Sequence, residues 1–130
     1  MCPRIPGIGG SYIVVADEDR TVANFVIDTL EKDGHSVFWA YDGISAIQLA
    51  LNLKACDLVI SNSRVGGRTG VDLISDLRER VPWLSILYLA NDGRSSPELE
   101  KKLPANVPVL REPFSAETLR TAVTSLLRQS

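Results

Sequence analysis

The stretch "DLVISNSRVGG", residues 57–67, decides how the chain reads. Its first half, Asp57 to Ser61, is a short apolar run rich in β-formers, the pattern of a strand covered on both faces. Its second half is polar and closes on two glycines, which reads as loop. Where such a strand ends in an open α/β sheet, reactive side chains gather. The residue standing there is Asn62, a neutral amide.

On either side of this stretch, β-rich runs alternate with helical patterns. "YIVVA" (12–16), "SVFWAY" (36–41), "SILYLA" (85–90) and the shorter "VPVL" (107–110) read as four further strands. Val22, Phe25, Val26, Thr29 and Leu30 recur at helical spacing after the first, and Ile44, Ile47 and Leu51 after the second. A third helix runs from Gly70 through Val71, Leu73, Ile74 and Leu77 and closes before Pro82. Ser96-Pro97 opens a short fourth helix that stops before Pro104, and Ser115 caps a last one carrying Leu119, Val123 and Leu126 on one face. Strict (βα)5 alternation implies right-handed crossovers and a doubly wound five-stranded parallel sheet, a three-layer α/β/α sandwich.

At 130 residues the chain suits one domain. Residues 1–10, "MCPRIPGIGG", read as a flexible leader, and 11–130 as the folded unit. With a net charge of −2 and well-mixed signs, there is no electrostatic case for a nucleic-acid partner. No apolar run approaches the roughly 20 residues that cross a bilayer, so no membrane role is expected. Cys2 and Cys56 make no disulfide framework, and a cytoplasmic, reducing home is expected.

The strand ends carry "ADED", "SNSR", "AND" and "REPF", and this fold class brings them together. Asp17 and Glu18 leave the first strand as paired carboxylates, the arrangement that persists when a hard cation such as Mg²⁺ is shared. Asp19 is better placed to serve the following helix by offsetting its positive end.

"IVVADEDR", "DLVISNSRVGGRTGVDLI", "SILYLAN" and "VLREPF" resemble, in order and spacing, the receiver domain of two-component response regulators. The resemblance spans residues 11 to 129 and implies a flavodoxin-like fold. It also implies a phosphoacceptor aspartate at the end of the third strand and an acidic pair holding Mg²⁺. A Thr or Ser, an aromatic residue and a Lys would relay phosphorylation to a remote surface. The acidic pair falls on Asp17 and Glu18. The acceptor falls on Asn62, the hydroxyl on Ala90, the aromatic on Val109 and the lysine on Glu112, before Pro113. The resemblance thus implies a degenerate pseudo-receiver that requires no cofactor, with Mg²⁺ as an optional ligand. Its partner would be a signalling protein or a histidine kinase-like component. A homodimer through the fourth helix, fifth strand and fifth helix is a further expectation.

The chemistry of these replacements is consistent. An amide oxygen is neutral and its electrons delocalised, so Asn62 forms no stable acyl phosphate. Ala90 offers no hydroxyl, and Glu112 repels phosphate. Asp17, Glu18 and Glu112 with neutral Asn62 bring the site to −3. Carboxylates about 4 Å apart repel by about 4 kcal/mol at an effective dielectric of 20. Relief is expected from a divalent cation, from a raised pKa, or, as the leading expectation, from an arginine plug supplied by Arg64, Arg68 or Arg111.

A competing reading is enzymatic. "DEDRT" fits the D-x-D-x-T pattern of haloacid dehalogenase-type phosphatases, with Asp17 as nucleophile and Asp19 as acid/base. Against it, Asn62 or Ala90 stands where a hydroxyl is needed, and Asp72 and Asp76 fall inside a helix. No enzyme activity is therefore expected. His35 reads as a solvated turn residue, Trp39 as sheet-edge packing, and Trp83 as either a partner anchor or a helix cover. Leu99, Leu103 and the "ELEKK" face (98–102) are what a partner would meet on the fourth helix.

Overall fold

The computed structural model describes residues 10–52, 56–91 and 93–128; most of the leader, with Cys2, and Asp92 of the "AND" tip lie outside them. The elements are β1 (Tyr12–Ala16), α1 (Arg20–Glu31), β2 (Ser36–Ala40), α2 (Gly43–Asn52) and β3 (Cys56–Asn62). There follow β4 (Arg64–Val65), β5 (Arg68–Thr69), α3 (Gly70–Arg80), β6 (Ser85–Ala90), α4 (Pro97–Glu100), β7 (Val109–Arg111) and α5 (Ala116–Arg128). Five strands form one parallel sheet in the order β2-β1-β3-β6-β7.

Alternation along each strand sorts the apolar residues into two cores. Val14, Ala16, Val59, Ile86 and Tyr88 face one side, where α2, α3 and α4 cover them. Ile13, Val15, Leu58, Ile60, Leu87 and Leu89 face the other, beneath α1 and α5. Both faces are dry, which is why the strands read as unbroken apolar runs. The chain turns outward from β1 to β2 and then crosses back to β3. Strand order therefore reverses between β1 and β3, and their carboxyl ends border a crevice.

The sequence reading needs several corrections. β3 extends through Asn62, so this residue belongs to the sheet rather than to a loop, in register with Leu89 of β6. The polar segment after it is a hairpin: β4 and β5 pair antiparallel around Gly66 and Gly67, whose φ values of 54° and 85° suit a tight primed turn. β7 begins only at Val109, because Pro108 has no N–H for the ladder and contributes only its carbonyl, which accepts the Tyr88 N–H at 3.0 Å. In α1 the buried stripe is Ala23, Val26, Thr29 and Leu30; Phe25 lies off it, 42% exposed, with its ring 6.0 Å from that of Phe114. Leu99 and Leu103 pack inward against the core, so α4 presents Glu98, Lys101 and Lys102 to solvent instead.

The expected caps form. Ser96 accepts the Leu99 N–H at 3.2 Å with Pro97 next in the chain. Ser115 and Thr118 exchange bonds at 3.1 and 3.0 Å across the first turn of α5. His35 is not a free turn residue: its Nδ1 accepts the Ser11 N–H at 3.0 Å, and burial lowers its pKa against the opposing charges of Asp33 and Asp57. Trp83, by contrast, is 79% exposed and lines a cleft with Arg78 near the end of α3 and Leu126 near the end of α5.

Candidate functional site

Asp17 lies one residue past the end of β1 and is fully buried. Its backbone continues the β1–β2 ladder, donating to Ala40 at 3.0 Å, while its carbonyl accepts the Trp39 indole N–H at 2.9 Å. Trp39 is thus more than edge packing: it pins the strand tip, with the Arg20 guanidinium 5.3 Å from its ring centre.

Both carboxylate oxygens of Asp17 are occupied. Oδ1 accepts the Asp19 N–H at 2.8 Å, and Oδ2 accepts the Asn62 side-chain amide at 2.8 Å. The Asn62 carbonyl oxygen, at the other end of that amide, accepts the Ser63 N–H at 2.6 Å. Burial pushes the Asp17 carboxyl up from 3.8 to about 6; the bonds from Asp19 and Asn62 pull it back, and the charges of Asp19 and Glu112 add to the rise. Asp19 is the N-cap of α1, its Oδ1 accepting Thr21 N–H at 2.9 Å and Val22 N–H at 3.3 Å. That engagement suits a helix cap and not an acid/base poised over Asp17.

Glu18 points across the crevice. Its Oε1 accepts the Gly67 N–H of the β4–β5 turn at 3.1 Å, and its Oε2 lies 3.5 Å from Arg94. Asp17, Glu18, Asp19, Asn62, Arg64, Asn91 and Arg94 line a polar cleft of about 350 Å³. The arginine that pairs with these acids is Arg94, which was not among the expected Arg64, Arg68 and Arg111. Arg64 lines the cleft without an ion pair there, Arg68 bonds Asp76 at 2.9 Å, and Arg111 bonds Glu100. The raised carboxyl pKa, the second expected form of relief, also occurs. The bond from Asn62, which replaces a repulsion by an attraction, was not anticipated.

The remaining positions spread out. Ala90 is buried at the end of β6, and its carbonyl accepts the Glu112 N–H at 2.9 Å. Glu112 also lines a separate apolar cleft with Val22, Phe25, Pro113 and Phe114, yet its charge still acts on Asp17, and Asp19 joins Asp17 and Glu18 in lining the polar cleft. Val109 is paired with Tyr88 on the neighbouring strand, away from the crevice.

Two residues central to this arrangement escaped the sequence reading, Ser63 and Arg94. Each sits in a polar loop string, and neither spacing nor residue type marks it. A hard cation fits the arrangement poorly. The Asp17 and Glu18 oxygens are taken by N–H donors, Asn62 turns its NH2 toward the acids, and no metal-holding group of His, Cys, Asp or Glu occurs among the described residues.

Residues 13–124 match the response regulator receiver domain family. The chain belongs to that family. Receivers are signalling modules of two-component systems, and solved receivers share this fold at low sequence identity. The signal receiver domain of an HD domain-containing protein from Pseudomonas fluorescens Pf-5 is 21% identical, with a TM-score of 0.82, and the match covers 92% of this chain and 96% of that one. The Vibrio cholerae chemotaxis protein CheY4 is 24% identical at a TM-score of 0.79, covering 91% and 99%. A response regulator receiver domain protein from Clostridium thermocellum is 22% identical at 0.79, covering 92% and 95%. No helix among the described residues is long and apolar enough to cross a membrane.

Proposed function

We propose that this receiver signals by docking to a protein partner without being phosphorylated. The observation that carries the reading is the engagement of Asn62 at both ends of its amide, to Asp17 and to Ser63, where a receiver would present a free carboxylate. A neutral, doubly bonded amide in a buried position is neither a nucleophile nor exposed to one. Ala90 supplies no hydroxyl to sense a phosphoryl group, Glu112 no positive charge to anchor one, and Val109 no aromatic ring to swing. Asp17 and Glu18 bind Mg²⁺ weakly on this reading, since a cation would have to displace N–H donors from both.

The docking surface is the face formed by α4, β7 and α5. It displays Glu98, Lys101, Lys102, Val109 and Arg111, all exposed. A histidine kinase-like component or another signalling protein is the expected partner, and a second copy of the chain through the same face is the alternative. The phosphatase reading gains nothing from the site, because Asp19 is spent as a helix cap and Asp76 on Arg68.

Incubation with acetyl phosphate and Mg²⁺ followed by intact-mass measurement tests the proposal. The chain should remain at its unmodified mass. A phosphoryl adduct at Asn62, Glu18 or any other residue of the crevice would overturn it.

A further inference from the structure

Ser63, one residue past Asn62, is fully buried and bridges two strands with one hydroxyl. Its Oγ donates to the Leu89 carbonyl at 2.8 Å and accepts the Asn91 N–H at 2.8 Å. Its own carbonyl accepts the Gly70 N–H at 2.8 Å, which anchors it to the start of α3. Leu89 and Asn91 flank Ala90, so a single side chain grips both sides of the residue that ends β6.

The ladder explains why a hydroxyl is needed. Asn62 paired with Leu89 is the last β3–β6 register pair, so the N–H of Asn91 lies beyond the reach of the β3 backbone. A serine oxygen has one proton to give and lone pairs to receive, which matches one carbonyl and one N–H. Downstream, the β6–α4 connection is braced a second time. Ser95 spends its proton on Glu100 at 2.7 Å, so the buried Tyr88 phenol is the donor in the 2.8 Å bond to Ser95. Arg111 of β7 closes this chain on Glu100, whose carboxyl it holds below its ordinary pKa with help from Ser95.

We infer that Ser63 is a built-in tether: it holds the β6–α4 connection against the tip of β3 through the chain's own hydrogen bonds, so that the α4–β7 face has one standing position. The inference rests on the docking reading and deepens it by naming what sets the docking face in place of a phosphoryl group. Ala90 could not be drawn toward β3 by a ligand, and with Ser63 bonded on both sides of it no such pull is required.

Residue-resolved hydrogen exchange on the untreated chain tests this. In the wild type the Asn91 amide should be protected well above the amide of the neighbouring exposed Gly93. Ser63→Ala should speed its exchange by about tenfold, the equivalent of one net hydrogen bond, while amides of α1 and α5 such as Val26 and Val123 stay unchanged. Ser63→Thr, which keeps the hydroxyl, should restore protection. An Asn91 amide as fast as Gly93 in the wild type, no change in Ser63→Ala, or an equal rise throughout the sheet would each overturn the tether. The wild-type comparison stands even if Ser63→Ala does not fold. A phosphoryl adduct would instead refute the docking reading, and the exchange pattern would be unaffected by that result.

Discussion

Asn62 donates its side-chain amide to Asp17 across the β1–β3 crevice at 2.8 Å, and both residues are buried. A carboxylate at position 62 would turn this attraction into a contact between two like charges. Asn62→Asp should therefore destabilise the fold at neutral pH by about 1–3 kcal/mol, the range for losing a buried hydrogen bond to a charged group. It should also create a demand for a cation. Thermal melts with and without millimolar Mg²⁺ check both effects: the wild type should not respond, and Asn62→Asp should be raised. A wild-type response of equal size would show that the native crevice already takes the metal.

The raised carboxyl of Asp17 predicts a specific pH dependence. Its folded pKa of about 6 lies above the ordinary 3.8, so the unfolded chain loses this proton first as pH rises. Stability contributed by Asp17 is then highest below 3.8, falls between 3.8 and about 6, and is level above that. The decline is of order 2–3 kcal/mol at most. Asp17→Asn should lack it, so the stability difference between variant and wild type, measured by urea denaturation, should shift in favour of the variant across this window. A pH-independent difference would mean that the carboxyl titrates normally.

His35 should act with the opposite sign. Burial lowers its pKa below 6.5, and its neutral Nδ1 accepts the Ser11 N–H. Its contribution is present in full above 6.5 and is lost as pH falls through the lowered folded value. The Ser11 amide resonance should hold its position below pH 6.5 and move only when the ring finally protonates. A midpoint at or above 6.5 would contradict the burial.

Gly70 begins α3 directly beneath the β3 tip. A Cβ there would lie 2.0 Å from the Asn62 carbonyl oxygen and 2.9 Å from Ser61 Oγ. Backbone cannot yield as a flexible side chain can, so Gly70→Ala should cost about 2–4 kcal/mol in denaturant unfolding. It should also disturb the Asn62 and Ser63 amides more than those of α5. A near-neutral effect would place the helix start farther from the strand than described.

Much of the architecture was legible. Five apolar runs alternating with helical stripes can only bury themselves as a covered parallel sheet, and Ser96-Pro97 and Ser115 mark helix starts because local hydrogen bonds make them so. The Gly66-Gly67 hairpin was read only as a loop, because strands of two residues are too short to show a period. Leu99 and Leu103 were assigned outward because one turn of helix carries too little periodicity to show its buried side.

What the sequence determined by itself is the chemistry available at each strand tip: acids at Asp17 and Glu18, an amide at Asn62, a methyl group at Ala90. Tertiary structure alone decided how those groups are spent. Asn62 reaches Asp17 from 45 residues away, Ser63 reaches Leu89 from 26, and Arg94 reaches Glu18 from 76. Hydrogen bonds are short and directional, so which of several nearby polar groups pair depends on ångström-scale placement by the packed sheet. Residue type and spacing along a chain carry no record of that.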